Sequence, residues 1–229
     1  MLTSPQYTLK SQDVYHFTIN TLDTLPLRMP GVMQSRDRLR GLVFAAASQL
    51  SVHPACHQLE RAPSGPTVLG TLAGQLSDLD ALAGQVNALL ARLMPKGWGK
   101  RGRHVAMDLI ALPYHGTVDA AQQDEVCRSK ATGGTPHFFT SATAYAVVQG
   151  RRYPLALCRV RAKQTMEHVV RPLLERLVIL GSRMQLLLLD RGFYSVRVLG
   201  ALLTAEWPCI MPAVKRGTKP ATPGGPTGT

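Results

Sequence analysis

The segment with the fewest structural options is MQLLLLD at residues 184–190. Four consecutive leucines carry no helical stripe, and Gly181 and Gly192 bound the run too closely for a helix of ordinary length. Such a run predicts a buried strand ending at Asp190. Helical patterns flank it. Val169, Leu173, Leu177 and Leu180 share one face over residues 166–180, and Ser195 is placed to cap a helix reaching to about residue 205. A last short strand is expected at residues 208–214. Strands separated by helices require a sheet with helices on its faces.

Upstream lie three more extended segments: HVAMDLIALPYHG (104–116), HFFTSATAYAVVQG (137–150) and RRYPLALCRVRA (151–162). Gly150 marks a hairpin turn between the second and third, while residues 117–136 read as a polar, glycine-containing loop. The order β-β-β-α-β-α-β places this half in the α/β class, with a mixed sheet. That order matches an RNase H-like core.

The first half has a different character. Residues 1–34 carry little periodicity and no assigned element. Residues 35–49, with Ser35 as N-cap, place Leu39, Leu42, Val43 and Ala46 on one helical face. A short helix follows at 52–59, capped by Ser51. After APSGP, a third helix capped by Thr67 carries Val68, Leu69, Leu72 and Leu76. A fourth, at 77–94, aligns Leu79, Leu82, Val86, Leu89, Leu90 and Leu93. Short capped helices suit a helix-turn-helix DNA-binding region and equally suit a small bundle, because periodicity reports burial alone. In the first case Thr67, Thr71 and Gln75 would face DNA. PKGWGKRGR (95–103) reads as a basic linker, residues 104–214 as the core, and the Pro-, Gly- and Thr-rich residues 215–229 as a tail without apolar pattern.

Lys and Arg number 26 against 14 Asp and Glu, a net charge of +12. That excess favours a polyanionic partner, nucleic acid first. The four cysteines, Cys56, Cys127, Cys158 and Cys209, form no C-x-x-C pair, so neither a zinc knuckle nor a disulfide framework is expected. Scattered thiols fit a reducing cytoplasm, and MLTSPQYTLK lacks the pattern of a secretory signal. No apolar run approaches the ~20 residues of a membrane span. His53, His57, His104 and His115 do not follow a zinc spacing, and Gly133-Gly134-Thr135 is a turn rather than a phosphate loop.

Two carboxylates stand out. Asp108 interrupts an apolar strand, where an unpartnered charge is costly, and Asp190 stands at a strand's carboxyl end, where ligands of open α/β sheets gather. With the first and fourth strands adjacent, the two would face one another and repel unless a cation intervened. Mg²⁺ suits such a pair, taking carboxylate oxygens while keeping waters and phosphates, with Mn²⁺ as a substitute. Two such ions support phosphodiester cleavage and transfer. The alternative assigns Asp190 to capping the next turn and Asp108 to an arginine.

MDLIALPYHG (107–116), RSKATGGTPHFFTSATAY (128–145), GRRYPLALCRV (150–160) and above all LLLLDRGFYS (186–195) resemble insertion-sequence transposases of the DDE class. The resemblance extends over residues 35–229, more weakly through SQLSVHPACHQL and APSGPTVLGTL. It implies an RNase H-like catalytic domain, Asp108 and Asp190 as the first two metal-binding acids, and double-stranded DNA with terminal inverted repeats as substrate. It further implies hydrolysis followed by strand transfer, multimers working on two DNA ends, and a prokaryotic, nucleoid-associated setting. The family's third acid is a glutamate beyond the last core strand, and no Asp or Glu follows Glu206 here. The resemblance thus implies an incomplete RNase H-like core, and the chain is expected to be a truncated or split product with impaired catalysis, or a DNA-binding repressor derived from a transposase. Glu167 or Glu175 could substitute for the missing acid, although surface glutamates are usually solvated. Lys130, Arg151, Arg152, Arg159, Arg161, Lys163, Arg191, Lys215 and Arg216 are the expected DNA contacts, with 159, 161 and 163 sharing a strand face.

Overall fold

In the computed structural model, which describes residues 10–25, 35–60, 62–75 and 78–213, the switch from helical to extended patterning becomes a division into two units between Met94 and Pro95. The first unit contains α1 (Ser11–Leu22), α2 (Ser35–Ser48), α3 (Val52–His57), α4 (Gly65–Gln75) and α5 (Leu79–Arg92). Helix α1 was not expected. It is anchored by Asp13, whose carboxylate accepts the Lys10 N–H at 3.1 Å, and it buries Ile19 alone. Helices α1 to α4 pack in succession, each on the next, around Leu39, Ala45, Ala55, Cys56 and Val68. Burial pushes the Cys56 thiol pKa up.

Helix α4 starts two residues before the expected cap. Pro66 fits a first turn because its missing N–H would have no partner there, and the Ser64 hydroxyl accepts the Thr67 N–H at 3.3 Å. A Cβ on Gly65 would lie 2.6 Å from the His53 Cα, so α3 and α4 approach more closely than a side chain allows. Asp78 caps α5, accepting the N–H groups of Asp80 and Ala81 at 3.0 and 2.9 Å. No side chain of α5 is fully buried.

The second unit is built on a six-stranded sheet: β1 (Arg103–Pro113), β2 (Cys127–Thr132), β3 (Thr135–Val148), β4 (Arg151–Val160), β5 (Met184–Leu189) and β6 (Cys209–Ile210). Helix α6 (Met166–Ile179) joins β4 to β5, and α7 (Val196–Thr204) joins β5 to β6. The order is β2-β3-β1-β5-β6, with β4 also on β3. Strands β1 to β4 pair antiparallel through β3, whereas β5 lies parallel to both β1 and β6. This mixed α/β sheet is consistent with the RNase H-like arrangement.

One strand is additional to the expected order: β2 occupies part of the anticipated loop. It forms a hairpin with β3 around Gly133 and Gly134, at φ +63° and +83°. Gln149 and Gly150, at φ +50° and +74°, close the β3–β4 hairpin in the same way. Paired positive φ values match the right-handed twist of flanking strands.

Alternation along the strands sorts the sheet into two faces. Val105, Met107, Ala142, Ala144, Ala146, Leu187 and Leu189 are buried on the face that receives Val169, Val170, Leu173 and Leu177 of α6. Helix α7 packs beside α6, with Val198 and Leu202 buried, and the Ser195 hydroxyl caps it at the Val198 N–H, 3.2 Å away. The segment read as a linker is anchored within this unit. Trp98 is buried, its indole N–H donates to the Ser182 hydroxyl at 2.9 Å, and Arg103 stacks on its ring at 4.8 Å. Strand β6 is shorter than expected because only Cys209 and Ile210 pair with β5.

Candidate active site

The parallel register of β1 and β5 sets the site. Met107 lies opposite Leu189, and the Asp190 N–H donates to the Met107 carbonyl at 3.4 Å. One residue further along each strand stand Asp108 and Asp190. Alternation turns both away from the α6 face: Met107 and Leu189 are buried, Asp108 is half-buried and Asp190 is exposed. The two aspartates line one open cavity of about 500 Å³.

Each carboxylate is held by its own backbone. Asp108 Oδ1 accepts the Leu109 N–H at 2.9 Å, and Asp190 Oδ1 accepts the Arg191 N–H at 2.6 Å, capping the 3₁₀ turn Arg191–Phe193. Among the described residues neither second oxygen accepts a hydrogen bond, and neither aspartate pairs with an arginine. Phe193 is buried, and a Cβ on Gly192 would come within 2.8 Å of Leu109 Cδ1. The string after Asp190 thus folds tightly onto the sheet and fixes where that carboxylate stands.

The register gathers further side chains on the same face. Across the β1–β3 ladder, Asp108 faces Thr143 and Ala106 faces Tyr145. Across β3–β4, Tyr145 faces Pro154 and Val147 faces Arg152. Tyr145, Val147, Gly150 and Arg152 complete the cavity wall. The Arg152 guanidinium lies over the Tyr145 ring at 5.0 Å from its centroid. Tyr145 has no signal of its own in the sequence: the β1–β3 register sets the face it shares with Asp108, and the β3–β4 pairing brings Arg152 to that face.

The other expected DNA contacts are dispersed. Arg159 is ion-paired with Glu125. Arg161 and Lys163 do not continue its strand face, because β4 ends at Val160 and Lys163 turns at φ +62°. In that turn the Arg161 N–H donates to Gln164 Oε1 at 2.9 Å. Arg151, paired opposite Val148, points to the side of the sheet away from Arg152. Lys130 is exposed on β2, and Arg191 is exposed beside Asp190. Lys215, Arg216 and the Gln75 side chain lie outside the described residues, as does the Ser35 cap. Thr67 is exposed on α4, and the Thr71 hydroxyl donates to the Thr67 carbonyl at 2.8 Å.

Neither alternative glutamate joins the aspartates. Glu167 pairs with Arg171 at 2.9 Å, and both Glu167 and Glu175 line the groove between α6 and α7. Glu206 lines a separate cavity with Trp207 and Pro208. Among the described residues, no group of three His, Cys, Asp or Glu side chains gathers as a metal site. Nor is any described helix long and apolar enough to cross a membrane.

No protein-family model matches the chain, and no curated protein matches it. Among solved structures it is similar to a piggyBac transposase in a synaptic complex with hairpin DNA, at 12% identity and a TM-score of 0.46. That likeness covers 97% of this chain and 45% of that one, so the chain spans less than half the length of this neighbour. A Mos1 transposase paired-end complex with the left transposon end is similar at 13% identity and a TM-score of 0.29, over 90% of this chain and 68% of that one.

Proposed function

We propose that this chain acts on double-stranded DNA as a DDE-class transposase of insertion-sequence type. Its sheet unit is the RNase H-like core, and Asp108 and Asp190 hold Mg²⁺, with Mn²⁺ as a substitute. One observation carries the reading: the two carboxylates stand at matching positions of adjacent parallel strands, on the sheet face opposite α6. The LLLLDRGFYS string supports it, since the residues that carry the family resemblance are those that fix Asp190 in place.

The donor set fits a hard cation. Both ligands are carboxylate oxygens, and each aspartate spends one oxygen on its own backbone and keeps the other available. Positions not filled by protein would fall to water and phosphate oxygens. Bound there, the ion supplies Lewis-acid activation of a water or a 3′ hydroxyl and stabilises the leaving oxygen. Terminal inverted repeats as the DNA ends, and multimers that pair two of them, extend the same proposal.

A second reading is DNA binding without cleavage, as in a repressor derived from a transposase. It is favoured by the lack, among the described residues, of a third acidic or histidine ligand beside the pair. Nicking of supercoiled plasmid in Mg²⁺ or Mn²⁺ separates the two. The first reading expects nicking by the native chain and its loss in Asp108→Ala and Asp190→Ala. Nicking that survives both substitutions refutes the aspartates' role. DNA binding without nicking by the native chain selects the second reading.

A further inference from the structure

We infer that Arg152 is a phosphate-binding residue of the aspartate site, held in position by Tyr145. This rests on the DNA reading above and adds to it the group that receives the backbone. DNA brings negative charge to a cavity whose named acids are two carboxylates. Approach of a phosphate requires positive charge on the same face, and among the described residues Arg152 is the cationic side chain lining that cavity.

Four observations converge on it. Cross-strand register puts Arg152 opposite Val147, on the Tyr145 and Asp108 side of the sheet, while its neighbour Arg151 faces the other way. The guanidinium carbon lies over the Tyr145 ring, 5.0 Å from its centroid, a cation–π contact. A cation–π contact leaves N–H donors of the guanidinium for phosphate oxygens, which an arginine can bind two at once. Among the described residues Arg152 forms no ion pair, whereas Arg159 on the same strand is occupied by Glu125. Strand β4 is an edge strand in this sheet, so Arg152 sits where a duplex can reach it.

The test is binding of a fluorescent mixed-sequence duplex by the full chain, followed by anisotropy across a salt series. Arg152→Gln is expected to make the log affinity–log salt slope shallower by about 0.9, the loss of one phosphate contact. Arg152→Lys should restore the slope, since it restores the charge. Tyr145→Leu should keep the slope and weaken affinity by about two- to five-fold, the scale of an exposed cation–π contact. Arg176→Gln, on the exposed side of α6, serves as the control of equal charge loss and should match the native slope. An unchanged slope in Arg152→Gln overturns the inference and leaves the DNA reading intact. An equal change in Arg176→Gln also overturns it, because net charge alone would then explain the effect. Undiminished affinity in Tyr145→Leu removes Tyr145 from the account. No salt-dependent binding by the native chain would remove both the inference and the DNA reading.

Discussion

At Asp190 one carboxylate oxygen accepts the Arg191 N–H at 2.6 Å and closes the turn after β5, while the other oxygen stays available in the cavity. Capping and metal binding, which compete as explanations of a lone aspartate in a sequence, are compatible on the two oxygens of one side chain. Asp108 follows the same pattern through the Leu109 N–H. Such local bonds hold the rotamers without neutralising either charge. Arg159 shows the opposite outcome: a basic residue on the right strand face is committed to Glu125. At Gly99 the constraint is steric, because a Cβ there would collide with the Gly181 carbonyl oxygen. Gly99→Ala is expected to destabilise the sheet unit by about 1–3 kcal/mol, the usual cost of forcing atoms into filled space. A denaturant midpoint equal to that of the native chain would contradict this contact.

At the scale of elements, α6 contains a proline away from its first turn. Pro172 lacks the N–H that would bond to the carbonyl four residues back, and its ring crowds that carbonyl. The helix persists because Val169, Val170, Leu173 and Leu177 are buried along one face, and burial of that kind outweighs propensity. Pro172→Ala is therefore expected to stabilise the chain, by up to ~3 kcal/mol on the propensity scale; a lowered melting temperature would show that the proline shapes the packing. The same balance explains what could be read in the sequence. Helices α6 and α7 and strands β1, β3, β4 and β5 were legible because each has one face buried and shows the matching period. Strand β2, CRSKAT, was not. It is almost wholly exposed, so nothing alternates along it, and its signal lay in the two glycines that turn the chain into β3. Helix α1 buries only Ile19, which is too little to impose a stripe. The aspartate pair was legible from composition against context, a charge in an apolar strand. Tyr145 was not, because its significance depends on a register that spans three strands.

For the molecule as a whole, a net charge of +12 favours a polyanion without saying where it binds, and the proposed function assigns that place to the sheet unit. One sheet face is closed by α6, and the other carries two acids, an aromatic ring and a guanidinium over that ring within one cavity. This division of labour follows from strand alternation, which sends Met107 and Leu189 to the core and their successors to the site. In the proposed function Asp108 and Asp190 together form a divalent-cation site. Calorimetric titration of Mn²⁺ into the native chain and into Asp108→Asn and Asp190→Asn, with and without duplex DNA, tests it most directly. Saturable binding by the native chain is expected, strengthened by DNA and weakened about ten-fold (~1.4 kcal/mol) or more by either substitution. Equal Mn²⁺ affinity in all three proteins would contradict it.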